Sequence, residues 1–371
     1  MERRPTLAII DRAAIKSNYI LLKKKTAKDV DILAVVKANA YGHGAVEIAK
    51  TLEQAGCSFF GVALCEEGVE LRESGIKSPI IILGGIYANQ IRDVIEYDLT
   101  PVIFDIETAR ILDSLSAKTG KRINVHVKVD TGMGRLGLLP YQVIPFFKTL
   151  KGLANLEVEG ILSHFAEADE EDKEFSKEQL NIFFKVITVI QELGFQPRLF
   201  HIANSAAVVE HVNSHFNLVR PGIMLYGAYP AKHMVGSIEL KPAMRLVSQI
   251  ISLKKVPKGY SISYGRTYVT EKESIIAAVP IGYGDGYPRS LSNKGEALIR
   301  GQKARVAGVV CMDITMLDVT RIKGVSAGDE VVLIGKQGGD EITVDELAEK
   351  AGAIPYEILC GISGRVPRIY V

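Results

Sequence analysis

The feature that most restricts the fold of this chain is an alternation that runs from Asp31 to about Tyr226. Short apolar, β-branched runs are each followed by a stretch of helical periodicity, such as TARILDSLSAKTG and SKEQLNIFFKVITVIQELG. Strands are expected over 31–37, 58–63, 79–83, 100–103, 123–129, 157–163, 198–202 and 217–220. Asp31–Val36 would be apolar on both faces, as in a parallel strand covered on both sides. Gly56, Gly75, Gly120 and Gly194 fall where helical patterns stop. Eight strand–helix units in roughly 200 residues suit an α/β fold closed as a (β/α)8 TIM barrel better than an open doubly wound sheet.

After about Gly236 the texture changes. RLVSQIISLKKV, SIIAAVP, ALIRGQKARVAGVV, TMLDV and EVVLIG are strand-like, with turns at NKG, RGQ, AGD and GKQGGD. One helix stands out, TVDELAEKAG, with Thr343 as N-cap and Glu346 as its capping-box partner. The expected division is a barrel over 11–235 and a mainly β C-terminal domain over 236–371. Residues 1–10 would add a strand, at an edge, to that second domain.

Composition narrows the functional classes. The chain has 371 residues and a net charge of +2, from 45 basic and 43 acidic residues. That balance points to neither nucleic acid nor a membrane surface. No apolar run approaches the roughly 18 residues that span a bilayer. The start, MERRPTLAIIDRAAIK, has an apolar stretch too short for a signal peptide. Cys57, Cys65, Cys311 and Cys360 form no CxxC pair, which fits reduced thiols in a cytoplasm and no metal.

In such a barrel, chemistry sits at the C-terminal strand ends and the loops after them. Lys37 ends the first strand, and Arg135 lies in the loop TGMGRLG after the fifth. His164 ends the sixth, Asn204 and Ser205 follow the seventh, and Arg220 ends the eighth. Taken singly, each is an ordinary hydrogen-bonded or ion-paired residue; their convergence on one rim makes a site. Ser205 opens a helical run whose free N–H groups suit an oxyanion, and Gly222 lets backbone approach closely in Arg220-Pro221-Gly222-Ile223. A lysine facing a phosphate pocket points to pyridoxal phosphate held as a Schiff base. Tyr41, Gly42 and Gly44 would shape the loop beside it. In INVHVKVD, His126, Lys128 and Asp130 share the face that points into the barrel. A buried ammonium at Lys128 needs either Asp130 as its partner or a covalent change.

These residues resemble the alanine racemase family. VVKANAYGHG is similar to that family's cofactor-lysine signature. VKVDTGMGRLG, SHFAEAD, HIANSAA, VRPGIMLYG, SYGRTY, IGYGDGYPR, CMD and PYEILCGISGRVPRIY follow in order over nearly the whole chain. The resemblance implies L-/D-alanine interconversion for peptidoglycan and a homodimer whose sites lie between subunits. It implies that Lys37 carries the cofactor and is the base on the D-substrate face, with Tyr264 serving the L-face of the partner's site. His164 would bond Tyr264, with Arg220 beyond it facing the cofactor's pyridine nitrogen. Arg135 would steady the cofactor's phenolic oxygen and, with the Met312 amide, the substrate carboxylate, with Asp313 alongside. Ser205, Gly222, Ile223, Tyr41 and Tyr356 would hold the phosphate. Lys128 would be carbamylated, as N6-carboxylysine, and hold Arg135.

One departure concerns Val309, where relatives often carry arginine in a corridor with residues like Asp169, Arg289 and Ile354. That leaves the corridor less charged and substrate breadth open. Tyr283 and Tyr287 are expected as entrance or packing groups, and Asp285 as a turn residue. The alternatives are a racemase acting on serine and other small amino acids, a same-fold pyridoxal-phosphate decarboxylase, and a non-catalytic cofactor carrier. The decarboxylase reading lacks its cysteine motif, and the carrier reading does not use the residues after Gly236.

Overall fold

Each of the eight expected runs contains a strand. The computed structural model describes residues 4–371. After β1 (Leu7–Ile10) come β2 (Asp31–Val35), β3 (Phe59–Val62), β4 (Ile80–Ile82), β5 (Thr100–Ile103), β6 (Ile123–Lys128), β7 (Leu156–Leu162), β8 (Leu199–His201) and β9 (Leu218–Val219). From β2 to β8 successive strands pair in parallel, and β2 also pairs with β9. Between β8 and β9 the ring closes without a regular ladder. Asn217 bridges this seam: its Oδ1 accepts from Phe200 N–H at 2.8 Å, and its Nδ2 donates to Arg198 O at 2.7 Å. Arg220 N–H then donates to Ala203 O at 2.8 Å.

Local signals set the helices around this ring. Asp11 caps Arg12–Lys25 and Asp105 caps Ile106–Thr119, each by accepting a backbone N–H three residues on. Gly56, Gly75, Gly120 and Gly194 all have positive φ just beyond a helix.

The first strand is shorter than expected. It ends at Val35, and Lys37 opens a turn instead of closing the strand. Ala38, Asn39, Ala40 and Tyr41 all have φ between +51° and +54°, one turn of left-handed helix. For L-residues this costs roughly 1–2 kcal/mol each, so the fold must hold the turn firmly. Ala40 N–H donates to Val36 O at 2.8 Å and Gly42 N–H to Ala38 O at 3.0 Å. Asn39 Oδ1 accepts from Ala45 N–H at 2.8 Å. Glu67 Oε1 accepts from Ala38 N–H at 2.6 Å, while its other oxygen accepts from Ala63 and Leu64. At Gly42, with φ +81°, an added Cβ would lie 2.2 Å from Leu359 O.

The remaining strands are β10 (Met244–Gln249), β11 (Ser252–Val256), β12 (Ser261–Ile262), β13 (Tyr268–Val269), β14 (Ser274–Val279), β15 (Glu296–Ile299), β16 (Gln302–Val306), β17 (Thr315–Asp318), β18 (Glu330–Gln337), β19 (Asp340–Ile342) and β20 (Arg368–Tyr370). They form one large sheet ordered β11-β14-β17-β16-β15-β18-β10-β1-β20, plus the β12–β13 ribbon, with β19 paired to β18. β1 therefore joins this sheet, but not at its edge: β10 flanks it antiparallel and β20 parallel. Residues 1–3 of the expected strand lie outside the described residues. Thr343 Oγ1 caps Val344–Ala351, accepting from Glu346 N–H at 3.0 Å. The Glu346 carboxylate turns to Lys350 and Lys303 rather than completing the box. A second helix, Pro355–Gly361, packs on the left-handed turn. Arg368 Nε donates to Gly42 O at 3.0 Å, so the C-terminal segment is fastened to the barrel mouth.

Candidate active site

The left-handed turn and the loops after β6 to β9 enclose a cavity of about 250 Å³ at the C-terminal mouth of the barrel. Lys37, Tyr41, Lys128, Arg135, His164 and Arg220 line it, and so do Ser205, Gly222, Ile223 and Tyr356. These expected site residues come from elements far apart in sequence.

At one end the cavity presents neutral donors. Ser205 Oγ accepts from Gly222 N–H at 2.8 Å and so fastens the loop after β8 to the loop after β9. A Cβ on Gly222 would lie 2.4 Å from Tyr41 Oη, so this glycine makes room for that hydroxyl. Tyr41 stacks on Tyr226 with ring centroids 4.9 Å apart and tilts against Tyr356. Burial pushes both Tyr41 and Tyr356 phenols up, so they remain protonated donors. Tyr226 Oη donates to Val35 O at 2.8 Å, two residues before Lys37. Hydroxyls, backbone N–H groups and a close-approach glycine are the donor set that fits a phosphate.

The other walls are cationic. Burial, then Arg135, lowers the pKa of Lys37. Burial, Arg220 and Arg135 push Lys128 down to about 8. The expected Lys128–Asp130 pair does not form. Asp130 instead caps its own loop, accepting from Gly132, Gly134 and Arg135 N–H at 2.9, 3.1 and 3.2 Å. The glycine-rich TGMGR segment offers three amides within reach, and a carboxylate satisfied by amides has no need of the ammonium.

Arg220 is 5% exposed and held from behind. Nη1 donates to His201 Nδ1 at 2.8 Å, and Nη2 donates to Ser163 O at 2.6 Å and Ile202 O at 3.2 Å. Nη2 also reaches His164 Nδ1 at 3.3 Å. Burial pushes the guanidinium down to about 9, so it stays charged at neutral pH. Burial and Arg220 hold His164 well below the ordinary histidine value, hence neutral. Arg220 only donates, so His164 Nδ1 accepts and Nε2 carries the proton.

Tyr264, Met312 and Asp313 are not at this mouth. They line a separate concavity of about 550 Å³ with Ser263, Cys311 and Ile314. The loop between β12 and β13 holds Tyr264 outward on a sequence of positive-φ residues: Ser263 (+66°), Gly265 (+69°) and Arg266 (+54°). Tyr264 is 70% exposed and Met312 51% exposed. Tyr287 is buried, and Asp285, within its turn, also pairs with Arg4. Glu67, His201 and Glu159 are structural partners that the sequence reading left out. The alternating INVHVKVD, which singled out His126, was the available signal for the last two.

A (β/α)8 barrel with a lysine on its first loop, a phosphate-type donor cluster and an appended β domain defines a class of pyridoxal-phosphate enzymes acting on amino acids. Residues 10–230 match the family described as Alanine racemase, N-terminal domain, and residues 243–370 match Alanine racemase, C-terminal domain. The alanine racemase of Geobacter sulfurreducens is 48% identical, over 100% of this chain and 98% of its own length. That of Citrifermentans bemidjiense is 50% identical, over 100% of both. The crystal structure of alanine racemase from Bacillus anthracis with bound L-Ala-P superposes with a TM-score of 0.95 at 37% identity, covering 100% of this chain and 96% of that one. The chain belongs to the alanine racemase family, whose reaction interconverts L- and D-alanine with pyridoxal phosphate. The decarboxylase and carrier readings are thereby set aside.

Proposed function

We propose that this chain performs the racemisation as a homodimer, each barrel mouth being completed by the β12–β13 loop and the Cys311–Ile314 segment of the other subunit. One observation carries this reading. The barrel mouth holds a base, an anion cradle and a charged guanidinium, while the exposed Tyr264 and Met312 sit on a different surface of the same chain. Removing and returning a proton on opposite faces of a planar carbon requires two groups, and Tyr264, exposed on the other surface, is a phenol free to serve as the second beside Lys37.

Pyridoxal phosphate, when bound, supplies the electron withdrawal that makes an amino acid's α-proton removable. Lys37 would hold it covalently; Ser205, Gly222, Ile223, Tyr41 and Tyr356 would hold its phosphate. Lys37 Nζ takes or returns the α-proton on the D-substrate face, helped by a pKa lowered by burial and Arg135. Tyr264 of the partner subunit does the same through Oη on the L-face, and His164 Nε2–H steadies that oxygen. Arg135 and the partner subunit's Met312 amide hold the substrate carboxylate, with Asp313 beside it. Arg220 Nε has no protein partner among the described residues, and Arg220 lines the cavity. Placed against the pyridine nitrogen, this cation would keep that nitrogen unprotonated and so suppress transamination. An N6-carboxylysine at Lys128 would replace an unpaired buried cation by an anion against Arg135.

Alanine is favoured because Tyr264 and Tyr356 leave little room beyond a methyl; Val309 bears on how far serine is admitted. The same reading divides the chain at 235/236 and places it in the cytoplasm, supplying D-alanine for peptidoglycan. Among the described residues no helix is long and apolar enough to cross a membrane, and no group of side chains is arranged for a metal ion. Mixing inactive Lys37→Ala and Tyr264→Ala subunits tests the shared site. Random re-pairing puts one intact site in half of the dimers, so about a quarter of wild-type activity returns. A mixture that stays inactive while exchanging subunits would refute it.

A further inference from the structure

A chain of polar side chains crosses the barrel interior behind Arg220, and the reaction as described does not use it. Arg220 Nη1 donates to His201 Nδ1 at 2.8 Å. His201 Nε2 lies 2.8 Å from His126 Nδ1, and His126 Nε2 lies 3.4 Å from Glu159 Oε2. Glu159 Oε1 accepts from Arg198 Nη2 at 2.6 Å. Both imidazoles are 0% exposed. Arg198 is 59% exposed beside the opposite mouth, where Glu159, Thr100 and Asn124 line a hollow of about 120 Å³.

The chemistry of the two ends fixes everything between them. A guanidinium can only donate, so His201 Nδ1 accepts and its proton sits on Nε2. That proton points at His126 Nδ1, which must accept, so the second ring also carries its proton on Nε2. An ionised Glu159 receives it. An extra proton on either ring would set donor against donor inside the barrel. Burial lowers the pKa of both histidines. Burial raises Glu159, but bonds from His126 and Arg198 outweigh it, and the carboxyl is held below its ordinary range.

The barrel is shaped around this row. His126 on β6 is registered against Gly160 on β7, with a bulge between Val125 and His126. A Cβ on Gly160 would meet the His126 ring at 2.5 Å. The row also brings a carboxylate to the back of Arg220. Asp130, the carboxylate nearest in sequence to Lys128, is committed to backbone amides of its own loop, whereas Glu159 is linked to the guanidinium through the two rings.

We propose that Glu159, at the far end of the barrel, is a positioning residue for Arg220: by accepting the last proton of the row it holds His126 and His201 in the tautomers the guanidinium needs, and so keeps Arg220 aimed at the cofactor site. The aiming part rests on the reading that Arg220 faces the pyridine nitrogen; the tautomer part does not.

The test uses the whole protein, labelled with nitrogen-15 in histidine. Without cofactor, wild-type His126 and His201 should both show Nε2 protonated and Nδ1 bare. In Glu159→Gln, and to a lesser degree in Arg198→Gln, both ring N–H resonances should move. In the holoenzyme, Glu159→Gln should raise pyruvate formed per racemisation turnover by about tenfold, the scale of losing an outer-shell partner, with the KM for alanine within about twofold. Pyruvate arises when alanine's amino group stays on the cofactor and the keto acid leaves. A purely structural role would leave that ratio unchanged. An Nδ1–H ring or an imidazolium in the wild type overturns the proposal, as does an unchanged ratio in folded Glu159→Gln. If that variant fails to fold, Arg198→Gln decides: a rise of about twofold or more supports the proposal, and no rise overturns it. A wild-type holoenzyme that does not racemise would instead refute the functional reading, with the ring tautomers still legible without cofactor.

Discussion

Gly222→Ala perturbs the cofactor site by a single methyl group. Gly222 has φ −123°, so its place is not explained by a left-handed backbone; the constraint is space. The new Cβ would lie 2.4 Å from Tyr41 Oη and 3.0 Å from Cζ, against an ordinary contact of 3.4–4 Å. The hydroxyl must retreat by about 1 Å, in a packing environment that resists such shifts. Tyr41 is 6% exposed and wedged between Tyr226 and Tyr356, so overpacking should cost about 1–3 kcal/mol of stability. Displacing a hydroxyl from a charged phosphate loses about 1.5–3 kcal/mol, or roughly 10–150-fold in cofactor Kd. Titration of cofactor-free protein with pyridoxal phosphate, followed by Schiff-base absorbance, reads that loss. The decisive comparison is the same substitution in a Tyr41→Phe background. There the clashing oxygen is gone, and Gly222→Ala should cost markedly less. Wild-type affinity in Gly222→Ala, or an identical loss in both backgrounds, would refute the assignment of this corner to phosphate.

Other expectations follow from the same geometry. Tyr264→Ala should keep the Schiff-base absorbance but abolish α-proton exchange of L-alanine; surviving turnover of both enantiomers would count against the two-base assignment. Ala38→Gly relieves one exposed left-handed alanine and should stabilise the fold by up to about 1 kcal/mol, while the looser turn lowers turnover; a fall in Tm or an unchanged rate contradicts this. Burial pushes His43 down to about 4. Its unfolded form takes up a proton first as pH falls, so stability is full above about 6.5 and is lost towards pH 4, by about 3 kcal/mol for this group. His43→Phe should flatten that slope in denaturant titrations. The peptide containing Lys128 should carry the mass of added carbon dioxide, and an unmodified amine would exclude the carbamate.

Much of the architecture was legible because it depends on periodicity. The eight barrel strands are largely buried, with exposed residues only near the starts of β6 and β7, and their β-branched runs stand out against amphipathic helices. Lys37, His164, Ser205 and Arg220 could be placed on one rim because strand ends in a closed barrel converge. Other features depend on tertiary detail with no local signature. Nothing in Ala38-Asn39-Ala40 announces a left-handed turn, since alanine favours the opposite hand; Glu67 and the packed Pro355–Gly361 helix impose it. The inner position of β1 required β20, which arrives only at the end of the chain. Asp130 was expected to meet Lys128 on a shared face, but amides of the following loop reached it first. Glu159 looks like a surface residue until both its neighbours are placed.

The seam between β8 and β9 gives the barrel a slit where every other junction is stitched by regular strand pairing. Asn217 bastes it at one end, and directly above it Ser205 and Gly222 stand on its two lips. Gly222 N–H already joins the lips by donating to Ser205 Oγ, and a phosphate gripped by both would add a second clasp, so cofactor binding and closure of the tube reinforce each other. Without cofactor, the protein should open first along this line, where single bonds replace a ladder.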